Sequence, residues 1–241
     1  MINNGLHWFN FKTALSLDKG LIVTNKNAYN GASRDVTFKS VPGRSGDLCI
    51  DNKRYNNINI KYDVAVLRNE YDISELAHNI KGWLLSEAGY FRLYDSYDVN
   101  YFRLASYSDE IDIDEELPQF GSSSIKFNCK PFKYSIEGQR SKILTAATNI
   151  VNAEYFESSP YIKINGSGTI TLYINNASFA FENVDEYIEV DGETKNAYKG
   201  TVAQNNHMLS NTFPTLTPGA NNISWTGTVE SIEIIPRWCC L

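Results

Sequence analysis

A basic excess is the first thing this chain lacks: 22 Lys and Arg stand against 28 Asp and Glu, for a formal net charge of −6. Proteins that grip nucleic acid by its phosphates carry the opposite imbalance, because Lys and Arg displace condensed counterions. Sequence-specific nucleic-acid binding is therefore not expected. Long apolar runs are also missing, and none approaches the roughly 20 residues that cross a bilayer. No basic amphipathic stretch suggests a membrane surface, so no membrane insertion is expected. Residues Met1 to Lys12 lack the basic-then-apolar order of a secretory signal. The chain is expected to be soluble and made in a cytoplasm.

Cysteine is scarce. Cys49, Cys129, Cys239 and Cys240 are the four, and none stands in CxxC spacing. Neighbours such as Cys239 and Cys240 meet the preferred disulfide geometry poorly. All four read as reduced thiols in a reducing compartment. Catalytic spacing is absent as well. His7, His78 and His207 are far apart, with no second ligand at the spacing of a metal site. There is no nucleophile elbow and no phosphate-cradling loop ahead of a helix. Gly166-Ser167-Gly168 sits between two strand signals and reads as a hairpin turn. The acidic run Asp109–Glu116 alternates Asp112 and Asp114 with Ile111 and Ile113, the pattern of a half-exposed strand. A cation or partner contact and a pair of catalytic carboxylates are the other readings of that run. Neither an enzyme nor a cofactor nor a metal is expected.

What the chain does have is aromatic: 15 Tyr, 12 Phe and 4 Trp among 241 residues. Rings pack well on pleated sheets and in subunit contacts. Strand signals dominate at Leu21–Thr24, Val36–Val41, Ile58–Leu67, Tyr90–Leu93, Tyr101–Ala105, Ile111–Ile113 and Ile125–Cys129. Asn30-Gly31 is a turn signal between two of them. From Asp72 to Glu87 the period changes to that of a helix, with Ile73, Leu76, Ala77, Ile80, Trp83 and Leu84 on one face. Asp72 and Glu75 suit a capping box, and Gly89 supplies a stop.

The texture changes again near residue 135, which suggests two domains, 1–134 and 135–241. The second half shows short strands at Tyr161–Ile164, Thr169–Ile174, Phe179–Phe181, Tyr187–Val190, Asn222–Trp225 and Val229–Ile235. Turn signals separate them at Asn165-Gly166, Asn175-Asn176, Asp191-Gly192 and Pro218-Gly219. That is the spacing of a β-sandwich.

Several segments, in order, carry a family resemblance. The loop Val41-Pro42-Gly43-Arg44-Ser45-Gly46-Asp47-Leu48 resembles a Pro-Gly-Arg-x-Gly-x-Leu motif of siphophage distal tail proteins. The helix Ile73–Leu85 with Gly89-Tyr90 resembles the rest of that family's N-terminal domain, and Ile125–Phe132 its closing strand. Pro160–Gly168, Asp191-Gly192-Glu193, Phe213–Leu216 and Pro218–Asn221 are similar to its C-terminal strands and turns. The tail Arg237-Trp238-Cys239-Cys240-Leu241 departs from the pattern.

The resemblance implies a mainly β protein with two parts. The N-terminal part is a β-sandwich or split-barrel domain with one α-helix. The C-terminal part is a galectin-like, carbohydrate-module-like β-sandwich. It implies a hexameric ring at the virion tail tip, assembled in the host cytoplasm. Its partners would be other copies of itself, the tail tube protein, a tail-tip or tail-associated lysin protein and the tape measure protein. A receptor-binding protein or a host-surface glycan is a further implied partner. Pro42, Gly43, Arg44, Asp47 and Trp83 are the expected ring contacts: glycines allow close approach and Arg44 offers a fork to a neighbouring carboxylate. Rival readings are a stand-alone carbohydrate-binding module, a cell-wall hydrolase, and the same hub in a phage-tail-like bacteriocin.

Overall fold

The computed structural model describes residues 5–27, 31–66, 73–109 and 122–241. Asn30 of the expected turn, the capping Asp72, the strand at Ile111–Ile113 and residues 110–116 of the acidic run lie outside the described residues. The protein is mainly β, with curled sheets that form sandwich-like units and one α-helix among the described residues. It divides into two compact units, Met1–Lys133 and Tyr134–Cys240.

The first unit contains β1 (Phe9–Phe11), β2 (Ala14–Leu15), β3 (Leu21–Lys26), β4 (Arg34–Lys39), β5 (Leu48–Tyr55) and β6 (Ile58–Val66). Then come α1 (Ile73–Leu85), β7 (Phe91–Asp95), β8 (Tyr101–Ser106) and β9 (Ser122–Ser135), whose last two residues fall in the second unit. The main sheet runs β2-β1-β7-β8-β9-β6-β3. Its strands alternate as a one-sided sheet must. On β6, Ile58, Ile60, Tyr62 and Val64 are buried, while Asn59 and Lys61 face solvent. The helix closes this apolar face with Leu76, Ala77, Ile80, Trp83 and Leu84.

Phe9 is the hub of the packing. Its ring stacks on Tyr62 at 5.0 Å and on Trp83 at 5.6 Å, and meets Phe127 edge-on at 5.5 Å. Trp83, expected at a ring contact, is therefore a core residue and is withdrawn from that role. It is 9% exposed, and its Nε1 donates to the Phe11 carbonyl at 3.0 Å. The reason is its place on the apolar stripe, seven residues after Leu76.

Two features carried no sequence signal. Lys12 and Thr13 both take positive φ, 51° and 73°, to make a two-residue hairpin between β1 and β2. Such turns usually recruit Asn or Gly. Here the Lys12 ammonium donates to the carbonyls of Leu84 (3.3 Å) and Glu87 (2.8 Å), placing a cation at the helix C-terminus. Strand β5 is the second. Its sequence, LCIDNKRY, does not alternate, and its residues are exposed apart from half-buried Tyr55.

The second unit contains β10 (Lys142–Leu144), β11 (Thr148–Asn152), β12 (Tyr161–Ile174), β13 (Ala177–Val184), β14 (Tyr187–Asp191), β15 (Asn196–Lys199) and β16 (Val202–Ala203). It ends with β17 (Gly219–Ile235) and β18 (Cys239–Cys240). The expected hairpin turn at Gly166-Ser167-Gly168 does not exist. Tyr161–Ile164 and Thr169–Ile174 are one strand, β12, and Asn222–Trp225 and Val229–Ile235 are likewise one strand, β17. The two pair along their length, with register shifts at Asn165/Gly166 and Ser167/Thr171. The glycines permit close backbone approach: a Cβ on Gly166 would lie 2.2 Å from the Thr228 carbonyl oxygen, and one on Gly227 2.3 Å from that of Thr169.

The shifts let each long strand change neighbours. β12 pairs with β14 through residues 161–165 and with β13 through residues 168–174. β17 does the same with β10 and β11. Strands that bend at bulges are how two packed sheets share a corner. The core between them is mostly aliphatic, built on Ile162, Ile164, Leu172, Ile223, Ile232 and Ile234, with Phe179, Phe181 and Trp238 packed among them.

Trp83→Ala should cost about 3–5 kcal/mol in urea denaturation followed by far-UV circular dichroism. Arg44→Ala, at an exposed position, should stay within about 0.5 kcal/mol of the parent. A Trp83 loss no larger than the Arg44 loss would put the indole outside the core.

Candidate functional site

Strands β4 and β5 form a two-stranded sheet of their own. Pairs opposite one another share a face. Phe38 opposes Cys49 and Val36 opposes Asp51 on one face, while Lys39 opposes Leu48 and Thr37 opposes Ile50 on the other. Apolar side chains thus stand on both faces: Phe38 is 65% exposed, Leu48 41% and Ile50 42%. A lone two-stranded ribbon has no core of its own and is marginal in water.

The base of this ribbon is polar and cross-linked. Arg34 donates to Asp51 at 2.6 Å and to the Tyr55 hydroxyl at 2.8 Å, and Arg54 Nε donates to Asp35 at 2.5 Å. The apolar residues lie beyond, toward the tip. There the chain turns through Pro42–Asp47, with Gly43 and Gly46 at φ 79° and 82° and the Arg44 N–H on the Val41 carbonyl at 3.2 Å. A Cβ on either glycine would meet nothing, so backbone conformation alone asks for glycine here. Four of the five expected contact residues, Pro42, Gly43, Arg44 and Asp47, share this exposed tip. Among the described residues the side chains of Arg44 and Asp47 meet no partner.

The remaining candidates do not converge. His7 stacks on Tyr97 at 4.3 Å with Nδ1 3.1 Å from Ser96 Oγ, and His207 Nδ1 lies 3.2 Å from the Asn183 carbonyl oxygen. His78 is exposed on the helix. No group of three His, Cys, Asp or Glu among the described residues could hold a metal ion. No helix among them is long and apolar enough to cross a membrane. Burial pushes the thiols of Cys129 and Cys239 up to about 12, with Cys240 adding to the effect on Cys239, whereas Cys49 is exposed on the ribbon.

Sequence reasoning missed a latch in the second unit. Arg237, at φ 56°, forks onto Asp191, with Nη1–Oδ1 at 2.7 Å and Nη2–Oδ2 at 3.1 Å. Asp191 Oδ1 also accepts the N–H groups of Glu193 and Thr194. The residues around Arg237 are pinned too. Ser158 Oγ donates to the Pro236 carbonyl at 2.7 Å, the Ser135 N–H to that of Trp238 at 2.9 Å, and the Arg237 N–H to that of Gly138 at 2.7 Å. A Cβ on Gly138 would lie 2.5 Å from the Trp238 nitrogen. The turn at Asp191-Gly192 was readable from sequence, but nothing there pointed to a cation 46 residues on.

The chain matches no protein-family model, and no curated protein sequence matches it. Solved structures do match. One is the crystal structure of SPP1 Dit, described as a paradigm of hub adsorption apparatus in Gram-positive infecting phages. The likeness has a TM-score of 0.72 at 14% identity and covers 98% of this chain and 99% of that one. A chain of the phage P2 baseplate in its activated conformation with Ca has a TM-score of 0.53 at 10% identity, covering 95% and 97%. This chain has the fold of that hub protein over nearly its whole length.

The latch makes a pH prediction. Burial raises the Asp191 pKa, but the hydrogen bonds and charge of Arg237, with two backbone N–H groups, outweigh it and hold the pKa below 3.8. A depressed carboxylate stabilises fully above its unfolded pKa and loses that contribution as pH falls through the folded one. Thermal unfolding from pH 7 to pH 2 should therefore show an acid loss confined below about pH 4. Arg237→Met should cost about 3 kcal/mol at neutral pH and shrink the acid loss, because the Asp191 carboxylate is no longer held below its unfolded pKa. An unchanged acid limb in the variant would rule the pair out as its source.

Proposed function

We propose that this chain is a structural hub of a siphophage tail tip. Six copies close into a ring that joins the tail tube protein to the tail-tip or tail-associated lysin protein and the adsorption apparatus. The tape measure protein and then DNA pass through its channel. The protein is assembled in the bacterial cytoplasm and works in the virion, as a scaffold and not as a catalyst. In this reading residues 1–134 make the ring and residues 135–241 form a second sandwich that anchors adsorption parts.

The observation that carries the reading is the match in fold to a phage hub protein along both units rather than one. A carbohydrate module or a hydrolase domain would be expected to match over a part. The β4–β5 ribbon supports it separately. With apolar groups on both faces, the ribbon suits insertion between two surfaces of another copy. A head-to-tail contact of that kind closes into a ring when its rotation closes. Pro42, Gly43, Arg44 and Asp47 at the tip, with Phe38, Leu48 and Ile50 behind them, are the proposed contact. Arg44 is expected to pair with a carboxylate of the neighbouring copy.

Light scattering and negative-stain imaging of the purified protein should show particles of about six chains with a central hole. Phe38→Glu and Arg44→Glu should reduce them to smaller species while the thermal melt stays near that of the parent. In the ring, Cys49 should lose its reactivity toward a thiol reagent and regain it in the Phe38→Glu variant. Rings that persist in both variants with Cys49 still reactive would move the contact away from the ribbon.

A further inference from the structure

A cleft of about 280 Å³ opens in the first unit, apart from the β4–β5 ribbon. Its floor is a closed polar knot. Asp95 Oδ2 accepts from Lys26 Nζ at 2.6 Å and from the Tyr62 hydroxyl at 2.6 Å, while Oδ1 accepts the N–H groups of Tyr97 and Asp98. The side chains of Lys26 and Asp95 are 9% and 10% exposed. At the side, Lys133 Nζ sits 2.6 Å from Asp98 Oδ2 and 4.5 Å from the centre of the Tyr101 ring.

Among the described residues, the charges lining the cleft do not cancel. Lys26, Arg103 and Lys133 face Asp95 and Asp98. Each lysine has its carboxylate, and each carboxylate is already engaged. Arg103, half-buried on β8, makes one hydrogen bond, from Nη1 to the Pro131 carbonyl at 3.0 Å, and meets no carboxylate among the described residues. A guanidinium carries five N–H donors in a planar fork that fits a carboxylate. Most of that capacity is unused in a recess walled by the tyrosines Tyr97 and Tyr101.

We propose that this cleft is a binding site for a small monocarboxylate of about monosaccharide size. Arg103 takes the carboxylate by its fork, and the rings of Tyr97 and Tyr101 flank the body of the ligand. The single surplus positive charge selects a single negative one. A phosphate monoester would bring about −1.5 to −2 units beside Asp95 and Asp98 and is the poorer fit. A neutral polyol would leave the guanidinium without a counter-charge in a partly desolvated site. The cleft lies at the small end of ligand pockets, which limits the body to about one ring. The proposal is independent of the hub reading and would stand in a protein with another role.

Calorimetric titration of the full chain with D-glucuronate tests it, with N-acetylglycine, D-glucose and inorganic phosphate as the other arms. D-glucuronate should bind saturably at one site, with D-glucose and phosphate at least about tenfold weaker. Arg103→Gln should weaken glucuronate at least about tenfold, and Arg103→Lys, which keeps the charge and loses the fork, should weaken it less. Tyr97→Ala, which removes a partly exposed ring and keeps the backbone N–H that joins the knot, keeps the test valid if the Arg103 variants fold poorly, and it should also weaken binding. Preference for glucuronate over N-acetylglycine supports the site and assigns it to sugar acids. Equal binding of the two supports the site and assigns it to carboxylates of amino-acid type. No saturable binding of either carboxylate, glucose binding as tightly as glucuronate, or affinity unchanged in both the Arg103→Gln and Tyr97→Ala variants would overturn the proposal.

Discussion

The first unit is organised around one buried ring and the hydroxyl beside it. Phe9 stacks between Tyr62 and Trp83, so the sheet and the helix share a single aromatic contact. Tyr62 carries that contact outward, because its hydroxyl donates to Asp95 and Asp95 holds Lys26. Burial and the neighbouring Asp95 charge drive the Tyr62 pKa well up, so the phenol remains a donor across the ordinary pH range. A buried ion pair contributes little net stability by itself, since desolvation offsets attraction. What it does here is fix position. Four donors on one carboxylate leave strand β7 and the turn after it a single arrangement. Both the apolar core and the charged cleft are therefore referenced to Tyr62.

The two units solve the problem of exposed edges differently. In the second, the long strands β12 and β17 change partners at glycine bulges, and Arg237 locks the last residues onto the Asp191 turn. The first unit leaves the β4–β5 ribbon outside its sheet, with apolar residues on both faces. A free subunit gains nothing from exposing Phe38, Leu48 and Ile50. Apolar groups on both faces of a ribbon suit cover by another surface. The second unit also exposes large apolar side chains, among them Ile143, Val151 and Tyr155, so exposure alone does not single out one half.

Sequence reading succeeded where a period exists. Helix α1 was readable from the recurrence of Leu76, Ile80 and Trp83, and β6 from its strict alternation. It failed where the deciding contact is distant. Gly166 and Gly168 look like a turn because glycine most often serves turns, yet Gly166 is there for the backbone of β17. Trp83 was legible as a helix-face residue, but which side faces the core depends on Phe9 and Phe11, more than 70 positions earlier. The tip loop Pro42–Asp47 was legible through its glycines. Its separation from the main sheet was not, because β5 carries no alternation to betray an exposed strand. The Asp95 knot and the Arg237 latch join residues dozens of positions apart and leave no local pattern.

Net charge alone is a poor guide to the ligands this chain can hold. A chain at −6 reads as one that repels anions. Charges more than about 10 Å away are largely screened at ordinary salt, so a ligand responds to the groups that line its site. Among the described residues those groups sum to one positive charge in the cleft, and the unmatched member is an arginine, which cannot shed its proton to relieve the imbalance. The net charge of −6 still disfavours a polyanion such as DNA, whose binding needs many cations at once. The local surplus acts only at contact, on something small enough to enter. Both properties can coexist in one chain because screening separates their ranges.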